Sequence, residues 1–600
     1  MNFVPMGGFT FARFSTVKLL VMKSRLLLVL FIVSFFYLPR VCAQWRADTI
    51  TGGKMVVKQT SYSDRFFTIA DTTGGSMFLF VQLVDNQFGG ADYALKMQRC
   101  DPEANLQAGS VDSGLTIQPV INQLYDAVPD GTGGAYILYS LWSPETHADD
   151  SVYLYLQHIN NNGVRLWTEF GRQVKVQHTD FDFGGKLLLY GDKSVAVVFS
   201  IAAYGDNGYG QLFAQKYNSA GSALWAPGSI AVCTAAERRG LYYLADNGSG
   251  GLLVVFEDGR NGTFSGNSYN NLDIFMQHVN ANGTLANNAA GVAIINASSH
   301  QSMYLEKPGD KYIYPDGAGG CYFLYESTAL NNPDIKDIYV QRISGAGQVL
   351  WAGAGAFIVR SDYSGRYVYA IDMDAAPSGQ LSVLYNTSYG IGYYEDPTEL
   401  RLQTINTTGS VVYSTGSGKK IATVFNTGYS EYTAPFDLKY TADGEAFIVF
   451  NRKPDSIQLC LQKIKADGTL TWDSAGKLVI RQTAYMPQVL KNNNENYLLR
   501  WFDRRNYGEW VEQGKADMYV HRFDRAGNFT SSRNRIFSAT NGTWSNPLTW
   551  VGGVVPGPGD IVVITNSVTV TAAASCYSLS VQPPAGSITI QSGISLNVLH

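Results

Sequence analysis

Charge is scarce in this sequence: Asp, Glu, Lys and Arg make up 16% of its 600 residues, against about 25% in ordinary soluble chains. With a net charge of only −4, that scarcity excludes a coiled coil, a charged disordered tail and a basic surface for nucleic acid. Cysteine is sparse as well. Beyond Cys42 the chain has Cys100, Cys233, Cys321, Cys460 and Cys576, an odd number without short spacing. Neither a disulfide framework nor a zinc knuckle can be assembled from them, and buried free thiols are expected. The histidines lack metal-ligand spacing, and no Gly-x-Ser-x-Gly, His-Glu-x-x-His or phosphate-loop motif occurs. No cofactor and no metal are expected.

One long apolar run is present, from Leu26 to Leu38, with Lys23 and Arg25 before it and Val41-Cys42-Ala43 after it. Residues 1–43 therefore read as a secretory signal peptide, too short for a stable span. The expected address is outside the cell, at its outer surface or in the periplasm, with no membrane span in the mature chain. Residues 1–43 carry five bases and no acid, so removing them leaves 40 bases against 49 acids.

What is abundant is glycine, at 61 residues, and aromatic side chains, at 13%. A strand of the type LQHINNNG recurs, with its key polar residue at Gln98, Gln157, Gln215, Gln277, Gln341, Gln403, Gln462 and His521. Successive separations are 59, 58, 62, 64, 62, 59 and 59 residues. Eight units at so even a period are a repeat architecture. Ten residues after the key position stand Trp167, Trp225, Trp351 and Trp472, with Tyr413 in a fifth unit. Their common phase predicts buried, equivalent anchors. Upstream, Gly-Gly turns such as Gly133-Gly134, Gly250-Gly251 and Gly319-Gly320 lead into apolar runs ending on Tyr139, Phe256 and Tyr325. Such turns need the positive φ that glycine supplies.

Each unit reads as four strands and no helix, which predicts an all-β chain and an eight-bladed β-propeller over residues 44–538. Seven blades or tandem β-sandwiches are the alternatives. Lys54 to Lys58 copies the last strand of a unit, so it is expected to close the ring by pairing into the blade of His521. Residues 541–600 begin with a Trp, Pro and Gly cluster. They continue in short alternating strands around Val568/Val570, Leu579/Val581, Ile588/Ile590 and Leu596/Val598. That segment resembles the first turns of a bacterial β-solenoid, either as a cap on the propeller or as the start of something longer.

Three further stretches carry a resemblance. Phe256-Glu257-Asp258-Gly259-Arg260, Phe502-Asp503-Arg504-Arg505 and Asp337-Ile338-Tyr339-Val340-Gln341-Arg342-Ile343 resemble the repeats of Bacteroidota secreted surface proteins over roughly residues 50–537. The resemblance implies export and a propeller-like fold, and no known chemistry.

Candidate sites are weighed against structural roles. The key glutamines read first as buried amides that bond to neighbouring backbone. The position after them is Arg99, His158, Lys216, His278, Arg342, Thr404, Lys463 and Arg522. On a closed ring these form either an anion-binding circle, with Arg342, Lys463 and Arg522 as its candidates, or a set of ion pairs with acids of their own or adjacent blades. Asp258/Arg260 and Asp503/Arg505 read as ion pairs bracing hairpins, before a calcium site or a catalytic pair. Trp142, Trp501 and Trp510 are candidates for a sugar-stacking platform. Two functions remain open: a non-catalytic binding scaffold for glycan or extracellular protein, using Tyr- and Asn-rich loops such as Asn261–Leu272 and Asn386–Pro397, or a polysaccharide-active hydrolase or lyase. An enzyme of the second kind needs two carboxylates in a cleft.

Overall fold

The computed structural model describes residues 54–598, apart from connecting segments of which the longest are 143–150, 304–311, 426–435 and 504–514. Residues 1–53, and with them the predicted signal peptide, lie outside the described residues. Among the described residues there is no α-helix, and no helix is long and apolar enough to cross a membrane.

Eight antiparallel sheets follow one another along the chain, most of them of four strands. They form blades 1 to 8, with inner strands starting at Phe66, Gln123, Phe181, Arg239, His300, Arg366, Phe436 and Tyr485. Within blades 1 to 7 the strands run in chain order, first to fourth, and in blade 8 the first three do. From blade 1 to blade 5 and from blade 6 to blade 8 the first strands neighbour one another, so they line the axis and the fourth strands lie outermost. This is an eight-bladed β-propeller, and the seven-blade and sandwich alternatives fall away.

Closure uses the segment that copies a unit-final strand. Lys54–Ser61 is the outermost strand of blade 8, antiparallel to Lys515–Asp524 with Lys54 opposite Val520 and Met55 opposite Tyr519. Val56 and Val57 are buried there. Two blades depart from the pattern. Blade 1 pairs its third strand with both Leu106–Ala108 and Leu115–Ile121, and the inner edge of blade 5 is split between His300–Ser302 and Ile313–Pro315.

The glycine pair has two separate reasons. Gly133, Gly250 and Gly319 adopt φ of +103°, +80° and +85°. In the second glycine of each pair, a Cβ at Gly134 or Gly320 would run into the carbonyl oxygen of Ile159 or Ile343 at the end of the third strand. Behind each turn the second strand is buried on both faces, as in Leu252–Asp258, because each blade is sandwiched between two others.

After blade 8 the pairing changes to parallel. Arg535–Phe537, Ile561–Ile564 and Ser578–Val581 form one ladder. Gly542–Thr543, Ser567–Val570 and Ser587–Ile590 form a second, and Ala574–Cys576 with Leu596–Val598 a third. Trp544 and Trp550 meet edge to face at 5.1 Å between ring centroids over a core of Val562, Ile564, Val568, Val570 and Cys576. Of the predicted alternation, Val568 and Val570 are buried, whereas Val581, Ile590 and Val598 face outward. The five cysteines after Cys42 are free and buried.

Candidate functional site

The key glutamines are fastened to backbone. In blade 5, Gln341 Oε1 accepts from the N–H groups of Arg342 at 2.8 Å and Trp351 at 3.3 Å, while Nε2 donates to the carbonyls of Trp351 and Gly353. Gln215, Gln403 and Gln462 repeat this arrangement. Gln157 and Gln277 keep the neighbouring N–H and one downstream carbonyl. In Gln98, Oε1 accepts from the N–H of Arg99 at 3.1 Å. All seven amides are buried. His521 occupies the same place in blade 8 with its ring centroid 5.0 Å from that of Phe529. These residues tie the third strand to the outer turn that leads to the fourth.

The aromatic ten residues on caps that turn. The indole N–H of Trp167 donates to the carbonyl of Ser219, that of Trp225 to Ala281 and that of Trp351 to Thr407, each in the next blade. Beneath the ring lies a turn glycine of that blade: Gly221 under Trp167, Gly283 under Trp225, Gly409 under Trp351, Gly468 under Tyr413 and Gly527 under Trp472. Trp225 and Trp351 are buried, but Trp167 and Trp472 are only half-buried. The expectation of four buried anchors is corrected to that extent, because the latch sits at the rim and one ring edge meets solvent. The glycine, six residues after the key position in seven of the eight units, is the partner that sequence reasoning missed. Its constant spacing was the available signal.

The residues after the glutamines stand near the turns between first and second strands, where partners await them. His158 Nε2 lies 3.0 Å from Asp130 Oδ2, Arg342 bonds Asp316 at 2.9 Å, and Lys463 bonds Glu445 at 2.5 Å. Lys216 donates to the carbonyl of Gly250 in the next blade and lies 3.7 Å from the ring centroid of Tyr190. Lys463 likewise reaches the carbonyl of Arg525. Burial pushes the Asp130 carboxyl up, but the hydrogen bonds from His158, Thr132 and Gly134 outweigh it and hold the group below the usual carboxylate range. Arg522 and Lys463 are nine-tenths buried. Ion pairing of this kind occupies Arg342 and Lys463, and no open anion circle is left for the two of them.

A denser polar cluster sits at the opposite end of blade 4. Asp258 and Asp273 face each other across the second and third strands, and both are fully buried. Arg260 bonds both oxygens of Asp258, at 2.8 and 2.7 Å, and Arg239 approaches the same carboxylate at 3.4 Å. The guanidinium of Arg260 also lies 3.8 Å from the ring centroid of Phe275. Asp273 accepts from Asn261 at 2.5 Å; burial, reinforced by the charge of Asp258, pushes its carboxyl upward. Blade 8 repeats the facing pair as Asp503 and Asp517; Arg505 lies outside the described residues. Both carboxylates are buried at the end of the hairpin, and two arginines approach Asp258. Among the described residues no group of three or more His, Cys, Asp or Glu is placed to hold a metal ion.

Of the stacking candidates, Trp501 is corrected. It is fully buried, its indole N–H donates to Asp503 Oδ2 at 2.9 Å, and its ring stacks on Tyr519. Strand register makes it the eighth copy of the buried aromatic at Phe80, Tyr139, Phe199, Phe256, Tyr325, Tyr385 and Phe450. Trp510 lies outside the described residues, as does most of the loop after Asn386, which is itself buried in a strand. Trp142 is 45% exposed at the end of the second strand of blade 2. Tyr93, which no sequence phase singled out, is 46% exposed at the corresponding end of blade 1, opposite Leu83.

No family model matches the chain, and no curated protein matches it. Solved structures similar to it include the alpha-L-arabinanase of Penicillium chrysogenum, at 9% identity and a TM-score of 0.31 over 79% of this chain and 99% of that one. Another is the GH93 alpha-L-arabinofuranosidase of Fusarium graminearum, at 10% identity and 0.31 over 67% and 92%. A third is a protein of unknown function from Dyadobacter fermentans, at 10% and 0.30 over 58% and 96%. The fold assignment rests on the strand ladders rather than on these likenesses.

Proposed function

We propose that this chain is an exported, non-catalytic binding module of the Bacteroidota surface-protein type, which takes neutral glycan at the end of the propeller carrying Trp142 and Tyr93. One observation carries the reading: the polar residues that recur through the repeat are buried in structural bonds, whereas Trp142 and Tyr93 put half-exposed rings on the same end of adjacent blades. Aromatic faces suit the apolar faces of sugar rings, and Tyr and Trp keep a polar edge for hydroxyls. Residues 1–43 act as the export signal in this reading, and residues 541–600 as the first coils of a β-solenoid.

The test is a glycan array of the purified protein beside an activity assay on the same sugars. Binding of uncharged glycans, insensitive to salt and without turnover, supports the reading. Binding that salt erodes points to a charged surface instead. Turnover abolished by changing one carboxylate, without unfolding, would establish the hydrolase or lyase alternative.

A further inference from the structure

The outer turns, between third and fourth strands, lie at the end of the ring away from Trp142. They share one geometry: the ninth residue after the key position donates its N–H to the carbonyl of the residue after the key position. Leu224 bonds Lys216 in this way, Ala286 bonds His278, Leu350 bonds Arg342 and Val412 bonds Thr404, at 2.7 to 2.8 Å. Successive turns also touch, through Trp225 on the turn of blade 4, Asn287 beside Gly347 of blade 5, Trp351 on the turn of blade 6, and Tyr413 beside Gly468 of blade 7.

Geometry repeats around the ring, but chemistry does not. The turns of blades 3 to 6 are Asn218–Trp225, Asn280–Asn287, Ser344–Trp351 and Asn406–Tyr413. None of them contains a charged residue, although charged residues make up 16% of the chain. The turns on either side do carry charge: Arg165 in blade 2, Lys465 and Asp467 in blade 7, Asp524 and Arg525 in blade 8, and Asp101 and Glu103 in blade 1. On the uncharged arc, aliphatic side chains stand in solvent in phase, with Leu224 47%, Leu350 46% and Val412 53% exposed and Ala286 at the same place in blade 4; the row continues into blade 2 at Leu166, 49% exposed. Isolated exposed aliphatics are ordinary. A phased row on a continuous arc stripped of charge marks a docking surface.

We infer that this uncharged arc of outer turns is a self-association surface, which pairs with the same arc of a second copy of this chain. Charge selects the occupant. Two copies share the same net negative charge, and a contact between turns that carry none avoids placing like charges opposite each other. An arc without charge is automatically compatible with itself under a two-fold axis, which places the same patch on both partners. Four turns of eight residues supply a surface comparable to the roughly 20–30 residues a side of a standard interface. The turns are also held in shape before binding. Asn218 and Asn406 each cap their own turn through two backbone N–H groups, so little ordering remains to oppose association. Pairing by this end leaves both Trp142 ends facing outward, which makes the dimer bivalent for a polymeric ligand.

Sedimentation equilibrium of the purified protein tests the inference, with Leu224→Asp and Val412→Asp in parallel. The expected result is a dimer whose dissociation constant is insensitive to salt and rises at least about tenfold in either variant. Melting temperature and circular dichroism should not change. Because an aspartate in a turn can disturb folding, Leu350→Ser serves as a milder second variant and should weaken the dimer in the same direction. A monomer at every concentration, a dimer indifferent to all three substitutions, or a glycan that protects these turns while the protein stays monomeric would each overturn the inference. Trp142→Ala should leave dimerisation unchanged, which separates this surface from the glycan reading.

Discussion

The indole of Trp225 lies across Gly283 of the next blade and donates its N–H to the carbonyl of Ala281 at 2.9 Å. Gly283 has φ of +87°, and a Cβ there would stand 2.6 Å from Trp225 Cγ. Gly283→Ala therefore combines backbone strain with a clash and should cost about 2 kcal/mol or more. Trp225→Ala should cost about 3–5 kcal/mol through the void it leaves. The double variant should be less damaged than the sum of the two, since removing the ring relieves the clash. Urea unfolding of the four proteins measures the coupling, and strict additivity would show that ring and glycine do not act together.

Much of the fold is legible in the sequence because each blade must repeat the same satisfied backbone. The glutamine spacing reports the third strand, the glycine pair reports the turn before the second, and the copied segment at Lys54 reports closure. Trp501 was misread because blade 8 enters its second strand through Asn492-Asn493-Asn494-Glu495 rather than two glycines, so the aromatic lost its upstream landmark. Its distance from the key position gives no help, since the intervening loops differ in length from blade to blade. Tyr93 had no signal at all: exposure at a strand end depends on which loop covers it, and no local pattern encodes that. The absence of charge can be read in each of the four turns, but only the structure puts them side by side on one rim.

Closure gives a second prediction. Deleting residues 54–61 uncovers the edge of Lys515–Asp524 and removes buried Val56 and Val57. An open edge of this length is a template for pairing with other chains. The deleted protein should melt at a much lower temperature and scatter light on heating, whereas a deletion of similar length in an exposed loop should do neither. Equal effects of the two deletions would mean that the ring does not depend on this strand.

Asp273 supplies a pH dependence with a definite sign. Burial and the facing Asp258 raise its carboxyl above the ordinary value, against the opposing hydrogen bond from Asn261 and the charge of Arg260. A raised folded value means that the folded state binds the proton more tightly than the unfolded state. Its contribution is therefore complete below the unfolded value of about 3.9 and is lost as pH rises through the folded one. Asp273→Asn removes the titration. Relative to the wild type, the variant should gain stability as pH rises from the unfolded value of about 3.9 through the folded one, and no further above it. Urea midpoints across that range measure the difference, and a constant offset would show that Asp273 does not titrate between the two states.

Gln341 gives a purely structural prediction. Its amide serves two donors and two acceptors of the backbone, so Gln341→Leu strands several buried polar groups at once. The expected loss is about 2 kcal/mol or more, read from the denaturation midpoint, with glycan binding unchanged in the folded fraction. A ligand-binding glutamine would reverse that pattern.

Calorimetric titration of an array-selected neutral glycan into wild-type protein and Trp142→Ala tests the binding reading most directly. The account predicts saturable binding to the wild type, loss of at least about tenfold in affinity in the variant, an unchanged melting temperature, and the glycan recovered intact. Undiminished binding by Trp142→Ala, or glycan recovered in fragments, would contradict it.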